Sequence, residues 1–309
     1  MPDAALVAEK TDQAVEVLDD LGVDCWLTFC RETAEILEPA VPFLLDFDVV
    51  WPTMVLLTAG GEKHVIIGRH DAPTARDLGV YDVHPYDESL AEPFHELRAR
   101  IDPDEIAVNY DTDDVTADGL THGMYQRLTS LLSGTAHEGT LISAVDVIGR
   151  VRGVKTATEQ ARIQSAAETT VDLLAAMASS WRPDWTERDV SDWLHERLRD
   201  RGLDSAWSWP YCPTVHAGGA APVGHTLPGD RTLPPGEVLH VDFGVTQEGY
   251  AADLQRLYYL PADGETPPAP LRTAFEDVRD AIMAGLERLE PDAVGHEVDA
   301  AARELITDR

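Results

Sequence analysis

"HVDFGVTQEGYAADLQR", residues 240–256, places two aspartates, Asp242 and Asp253, in a segment that otherwise reads as two short apolar strands around a glycine-containing turn. Val238, His240 and Asp242 alternate with Leu239, Val241 and Phe243, the period of two that gives a strand one apolar face. Asp242 therefore points away from that face. A second strand is expected from about Gly249 to Tyr259, with Gln247-Glu248-Gly249 supplying the turn. A loop centred on Gln247 and Glu248 makes the two aspartates direct cross-strand partners. Side chains opposed in this way have Cβ atoms roughly 4.5–5.5 Å apart, and like charges there repel. A shared proton, a nearby arginine or a bound cation would offset the repulsion, and a dinuclear site with ions roughly 3.5–4 Å apart suits such a pair. A bulge that breaks the register, or exposure of one aspartate, removes the conflict without a ligand.

Composition narrows the class. A chain of 309 residues, 44% of them hydrophobic, can bury a core and is long enough for two domains. Its apolar stretches are broken by Pro52 or by charges well short of a membrane span, and residues 1–12 lack a basic region followed by an apolar one, so no membrane partner and a cytoplasmic location are expected. Cys25, Cys30 and Cys212 form no CxxC pair, which argues against a disulfide framework or a zinc finger. The net charge is −32, with Lys10, Lys63 and Lys155 the only lysines. Such a charge favours unfolding by self-repulsion unless salt screens it, and the balance resembles that of halophilic proteins. It also disfavours nucleic acid as a partner. The acids run from end to end without forming a tail, which weakens the rival idea of a docking site for a basic partner.

Along the chain the first half alternates element types. Strands are expected at Asp24 to Phe29, Met54 to Thr58, His64 to Ile67 and Glu105 to Tyr110, with a helix from about Ala117 to Leu132. This mixture indicates an α/β domain over residues 1–150, with no GxGxxG and no P-loop to cradle phosphate. From about residue 151 long amphipathic helices take over, Glu159 to Ser179 and Glu187 to Arg201, and the hairpin is followed by helices at about Leu271 to Leu289 and Val294 to Thr307. Helices flanking an antiparallel hairpin make residues 151–309 an α+β domain. Asp-Phe-Gly has no kinase loops beside it, and neither a GxSxG elbow nor HExxH occurs.

The run "GHTLPGDRTLPPGEVLHVDFGVTQEGYAADLQR", residues 224–256, resembles the pita-bread metallopeptidases: prolidase (Xaa-Pro dipeptidase), aminopeptidase P, methionine aminopeptidase and their relative creatinase. The resemblance rests on a His ahead of the first strand, a strand ending Asp-x-Gly, and a second strand of the form Gly-Tyr-x-x-Asp. "RVRGVKTATEQARIQSAAETTVDLL", from Arg150, looks like the opening of that family's catalytic domain. Residues 1–150 look like the creatinase-like N-terminal domain that precedes it in all these relatives but methionine aminopeptidase. The implied fold is an α/β N-terminal domain followed by an α+β pita-bread (creatinase/aminopeptidase-like) domain.

The resemblance implies that Asp242 and Asp253 bind metal and that His225 is the catalytic histidine which contacts substrate and stabilises the tetrahedral intermediate. It implies two divalent metal ions, manganese, cobalt or zinc, acting on a water. The substrate would be a small peptide, as in an Xaa-Pro dipeptidase or aminopeptidase P, and the assembly a homodimer. His216, in "PTVHAGG", is a candidate substrate-binding residue, His240 shares the Asp242 face, and Trp209 with Tyr211 could wall a pocket. The pattern departs at Gln255, where peptidases of the family usually carry Thr. The His motif and two Glu residues that complete the family's site do not occur between Asp253 and Arg309, and His296 matches the residue before the last helix rather than a ligand. The pita-bread domain is accordingly expected to be incomplete in this chain, with the remaining ligands beyond residue 309. Two other readings stand beside the peptidase: a metal-independent creatinase-like or ectoine hydrolase-like C–N hydrolase acting on a small molecule, and a non-catalytic pita-bread protein that binds a peptide.

Overall fold

A computed structural model describes residues 2–33, 38–219, 224, 226–262, 264, 266–291 and 293–308. The chain forms two compact units, Met1–Gln160 and Ala161–Arg309.

The first unit is a six-stranded mixed sheet with helices on both faces. In chain order it contains α1 (Ala4–Leu21), β1 (Cys25–Cys30), α2 (Val41–Leu44), β2 (Thr53–Thr58), β3 (Lys63–Gly68), α3 (Ala72–Asp77), β4 (Asp82–Tyr86), α4 (Ala91–Ile101), β5 (Ile106–Val108), α5 (His122–Leu132), β6 (Leu141–Ser143) and α6 (Val145–Gly153). The strand order is β4-β3-β2-β1-β5-β6, with β1-β2 and β2-β3 antiparallel and the outer pairs parallel. Every residue of β1 is buried, as a strand covered on both sides requires. Trp26, Val55 and Leu57 pack with α1 and α6 through Val7, Leu18 and Ile148 on one face. Leu27, Met54 and Leu56 pack with α4 and α5 through Phe94 and Leu128 on the other. Lys10 is buried in α1, and its ammonium pairs with Glu159 Oε2 at 2.9 Å and donates to Gln13 Oε1 at 2.7 Å.

The second unit contains most of α7 (Ala157–Ser180), α8 (Glu187–Arg201), β7 (Asp204–Ser205), β8 (Thr214–Ala217), β9 (Val238–Phe243), β10 (Val245–Gln247), β11 (Tyr250–Ala251), β12 (Leu254–Tyr259), α9 (Ala269–Arg288) and α10 (Gly295–Thr307). Thr186 and Asp189 form a reciprocal capping box that starts α8, and Gly202, left-handed at φ 63°, ends it. One three-stranded sheet has the order β12-β9-β8 and another β11-β10-β7. Leu239, Val241 and Phe243 point from β9 into a core with Leu173, Leu174, Val190 and Leu194 of α7 and α8. Each such fully buried side chain contributes roughly 1.5–3 kcal/mol of transfer free energy.

The expected hairpin is present with a different register. Glu248 and Gly249 both have positive φ, 51° and 80°, so the turn centres on them, one residue later than expected. Asp242 consequently faces Gln255 and not Asp253. Asp253 lies between β11 and β12, diagonal to Asp242. The single strand expected over Gly249 to Tyr259 is thus two short ones.

Candidate functional site

The polar side of β8, β9 and β12 carries the candidate residues. Antiparallel pairing puts Thr214, Asp242 and Gln255 in one cross-strand row and His216, His240 and Leu257 in the next. Gly244 allows the chain to cross here. A Cβ at that position would lie 1.8 Å from the Ala252 carbonyl oxygen and 2.8 Å from the Ala206 Cβ, so any side chain would push away the strand that brings in Asp253.

An ionised carboxylate only accepts hydrogen bonds, so the Gln255 amide donates to Asp242 Oδ2 at 3.2 Å and turns its oxygen to His240 Nε2 at 3.1 Å. His240 is thereby a donor at Nε2 and bare at Nδ1. That nitrogen faces Nδ1 of His216 at 3.3 Å, the two rings stacking at 5.5 Å between centroids. His216 therefore donates from Nδ1, and its Nε2 accepts the Thr226 hydroxyl at 3.0 Å. Burial first, then the charge His240 would carry, lowers the His216 pKa and favours this neutral arrangement.

Asp242 breaks the pattern of satisfied groups. Its Oδ1 is buried and has no hydrogen-bond partner. Burial raises its pKa first, and the neighbouring Asp253 raises it further by charge and by contact, while His240 and Gln255 pull the other way. Two carboxylates can hydrogen bond only through a shared proton, so in the ionised state Oδ1 has no donor at all. Asp253 itself is exposed. An orphaned carboxylate oxygen beside a second, reachable carboxylate is a donor set that fits a divalent cation from one side.

His225 lies outside the described residues. The ends of its segment are tethered, because Glu187 is buried and accepts from the backbone of Ala217 at 2.8 Å and of Gly229 at 3.0 Å. His216 and His240 are brought together with Asp242, as their strand alternation implies. Trp209 stacks on His195 at 4.5 Å beside the α8 core, and Tyr211 is exposed. Gln255, Thr226 and Glu187 are the residues that sequence reasoning did not assign. Gln255 stood out there as a departure from a pattern, and the structure gives it a positive task, holding Asp242 and His240 in one line.

The sandwich of α7 and α8 on a three-stranded antiparallel sheet, with two carboxylates on its polar side, belongs to the pita-bread class. An Xaa-Pro dipeptidase from Bacillus anthracis superimposes with a TM-score of 0.71 at 19% identity, over 98% of this chain and 78% of that one. A dipeptidase from Mycobacterium ulcerans does so with a TM-score of 0.70 at 21% identity, over 99% and 77%. Residues 161–309 match the family model of metallopeptidase family M24. An Xaa-Pro dipeptidase of Lactobacillus delbrueckii subsp. lactis is 29% identical over 195 residues, 63% of this chain and 50% of the relative. An uncharacterized peptidase of Bacillus subtilis (strain 168) is 25% identical over 187 residues, 60% and 50%. The chain spans about half the length of these curated relatives. Among the described residues no helix is long and apolar enough to cross a membrane.

Proposed function

We propose that this chain carries part of a metal-dependent hydrolase of small peptides, of the Xaa-Pro dipeptidase or aminopeptidase P kind, and that Asp242 and Asp253 contribute to a site for two divalent ions. The observation that carries the reading is the buried, donorless Oδ1 of Asp242 with Asp253 beside it. Asp242 and Asp253 would hold divalent ions, which would supply an activated water at neutral pH and Lewis-acid polarisation of a carbonyl. The chain's own residues supply orientation. Gln255 fixes the plane of the Asp242 carboxylate, and His240 holds the Gln255 amide in the sense that makes it a donor. His216 holds the Thr226 hydroxyl at Nε2, and exchanging that hydroxyl for a peptide N–H would bring His216 onto substrate. His225 takes the role of donor to the developing oxyanion.

Asp253→Asn tests this in the complete protein. The variant should lose divalent-ion uptake at the hairpin, measured by equilibrium dialysis, together with hydrolysis of Xaa-Pro dipeptides. Full activity with unchanged ion content would sink the proposal. A second reading has its own support, since a proton shared between Asp242 and Asp253 also satisfies Oδ1 and would suit a metal-independent C–N hydrolase. In that case turnover of a small-molecule substrate survives exhaustive chelation.

A further inference from the structure

The first unit carries a second convergence of ligand-type side chains, far in sequence from the hairpin. β3 and β4 are parallel neighbours, with His64 opposite Asp82 and Ile66 opposite His84. Their alternation puts His64, Asp82 and His84 on one face of the sheet edge. His84 Nε2 lies 3.3 Å from His64 Nδ1, Asp82 Oδ2 lies 3.6 Å from His64 Nδ1, and the same Oδ2 lies 3.5 Å from His84 Nε2. Three ligand atoms at the corners of a nearly equilateral triangle match one face of a tetrahedron. With metal–ligand bonds of roughly 2.0–2.1 Å, the edges of such a face are about 3.3 Å.

The surroundings favour this use of the triangle. His64 is buried, and its other nitrogen, Nε2, meets Glu62 Oε2 at 2.9 Å. A proton held on Nε2 by that carboxylate leaves Nδ1 as a bare lone pair directed into the triangle, the arrangement by which carboxylates orient histidine ligands. Arg100 Nη2 donates to the same Glu62 oxygen at 3.2 Å and also lies 3.0 Å from His64 Nε2. Because a guanidinium only donates, it competes with Glu62 for that nitrogen, and a cation on Nδ1 requires the Nε2 proton to go to Glu62 with Arg100 turned to the carboxylate alone. Asp82 is exposed and His84 half-buried, so an ion can enter from solvent. We propose that His64, Asp82 and His84 form a three-ligand site for a borderline divalent cation of the zinc class, separate from the carboxylate pair of the hairpin. Two imidazoles and one carboxylate select such an ion over magnesium or calcium, which prefer all-oxygen shells.

The test uses the full 309-residue chain carrying Asp253→Asn, so that the hairpin does not contribute, in molar salt with excess magnesium to saturate weak surface carboxylates. Zinc is titrated in competition with a chromophoric chelator, and cobalt is substituted for its visible d–d absorption. A single equivalent should bind, with imidazole ligand-field bands for cobalt. His84→Ala should weaken binding at least tenfold, and Glu62→Gln by on the order of tenfold as expected for an orienting partner. His64 is buried and its replacement could unfold the unit, so His84→Ala, checked by its melting curve without metal, is the deciding variant. No binding, or binding that His84→Ala leaves unchanged, overturns the site and leaves the triad a hydrogen-bonded network on a sheet edge.

Discussion

The sheet of the first unit and the helix pair α9–α10 of the second bury their apolar residues in opposite ways. In the sheet, β1 and β2 are buried along their whole length, and Phe94 on α4 is 0% exposed. On α9 the residues that step by threes and fours, Phe275, Val278, Ile282 and Leu286, are 52%, 53%, 58% and 52% exposed. The side of α9 that packs is the side with small residues. Ala281 and Gly285 are buried, and a Cβ on Gly285 would sit 3.7 Å from Val298 and 3.8 Å from Ala302 of α10. Periodicity therefore reports that a helix exists, while which stripe is covered depends on what packs against it.

The sharpest way to break this contrast is a pair of matched truncations. Phe94→Ala should cost roughly 3–5 kcal/mol, since it removes a fully enclosed ring and leaves a cavity. Phe275→Ala should change stability by no more than about 0.5 kcal/mol, as for an ordinary surface substitution. Urea denaturation of both variants measures the difference. Equal costs would mean that the α9 stripe is covered in solution.

Much of this was legible in the sequence, for reasons that differ by element. The alternation in residues 238–243 names the β9 core face because one side is apolar and the other is not. The register across the hairpin was not legible, because it turns on Glu248 adopting a positive φ that non-glycine residues rarely take. That one-residue shift moved Asp253 from opposite Asp242 to its diagonal, and gave Gln255 the place beside it. α1 buries Leu6, Val7, Ala14, Val17 and Leu18, a stripe at helical spacing that the sequence carries in full. β4 reads poorly as a strand because Pro85 interrupts it, a residue tolerated here since β4 is the sheet edge. Without β4 the approach of His84 to His64 has no precursor in the sequence, as a helix-containing crossover separates them.

A buried carboxyl in the first unit gives a middle-sized test within the well-covered region. Glu38 is 5% exposed, accepts from Asn109 Nδ2 at 2.7 Å and from the Ala40 backbone at 3.1 Å, and is so closely packed that a Cβ on Gly119 would lie 2.2 Å from its Oε1. Burial outweighs these hydrogen bonds and raises its pKa from 4.5 to about 7. The folded state therefore holds the proton more tightly than the unfolded chain. The stabilisation this gives is full below about pH 4.5 and is lost as pH rises through about 7, a change on the order of 3 kcal/mol. Asp242, also raised, drifts in the same direction, so the informative quantity is the difference between the chain and Glu38→Gln. That difference should shift in favour of Glu38→Gln as pH rises, and denaturation near pH 5 and near pH 8 measures it. A difference independent of pH would show that Glu38 is ionised in the folded state at both.

The smallest expected effect on stability comes from the exposed stripe, and there the informative readout is association. Water meets Phe275, Ile282 and Leu286 over residues 275–286 of α9, and an exposed apolar band of that kind favours contact between molecules. The net charge of −32 opposes that contact at low salt and loses its reach as the Debye length falls to about 3 Å near molar salt. Self-association measured by sedimentation should therefore rise with salt in the 309-residue chain and should be suppressed by Phe275→Ser with Leu286→Ser. The double variant should keep the parent's melting behaviour, because both residues are about half exposed. If the variant associates as strongly as the parent at high salt, the attraction comes from another surface and the exposure of α9 has no consequence for how the molecules meet.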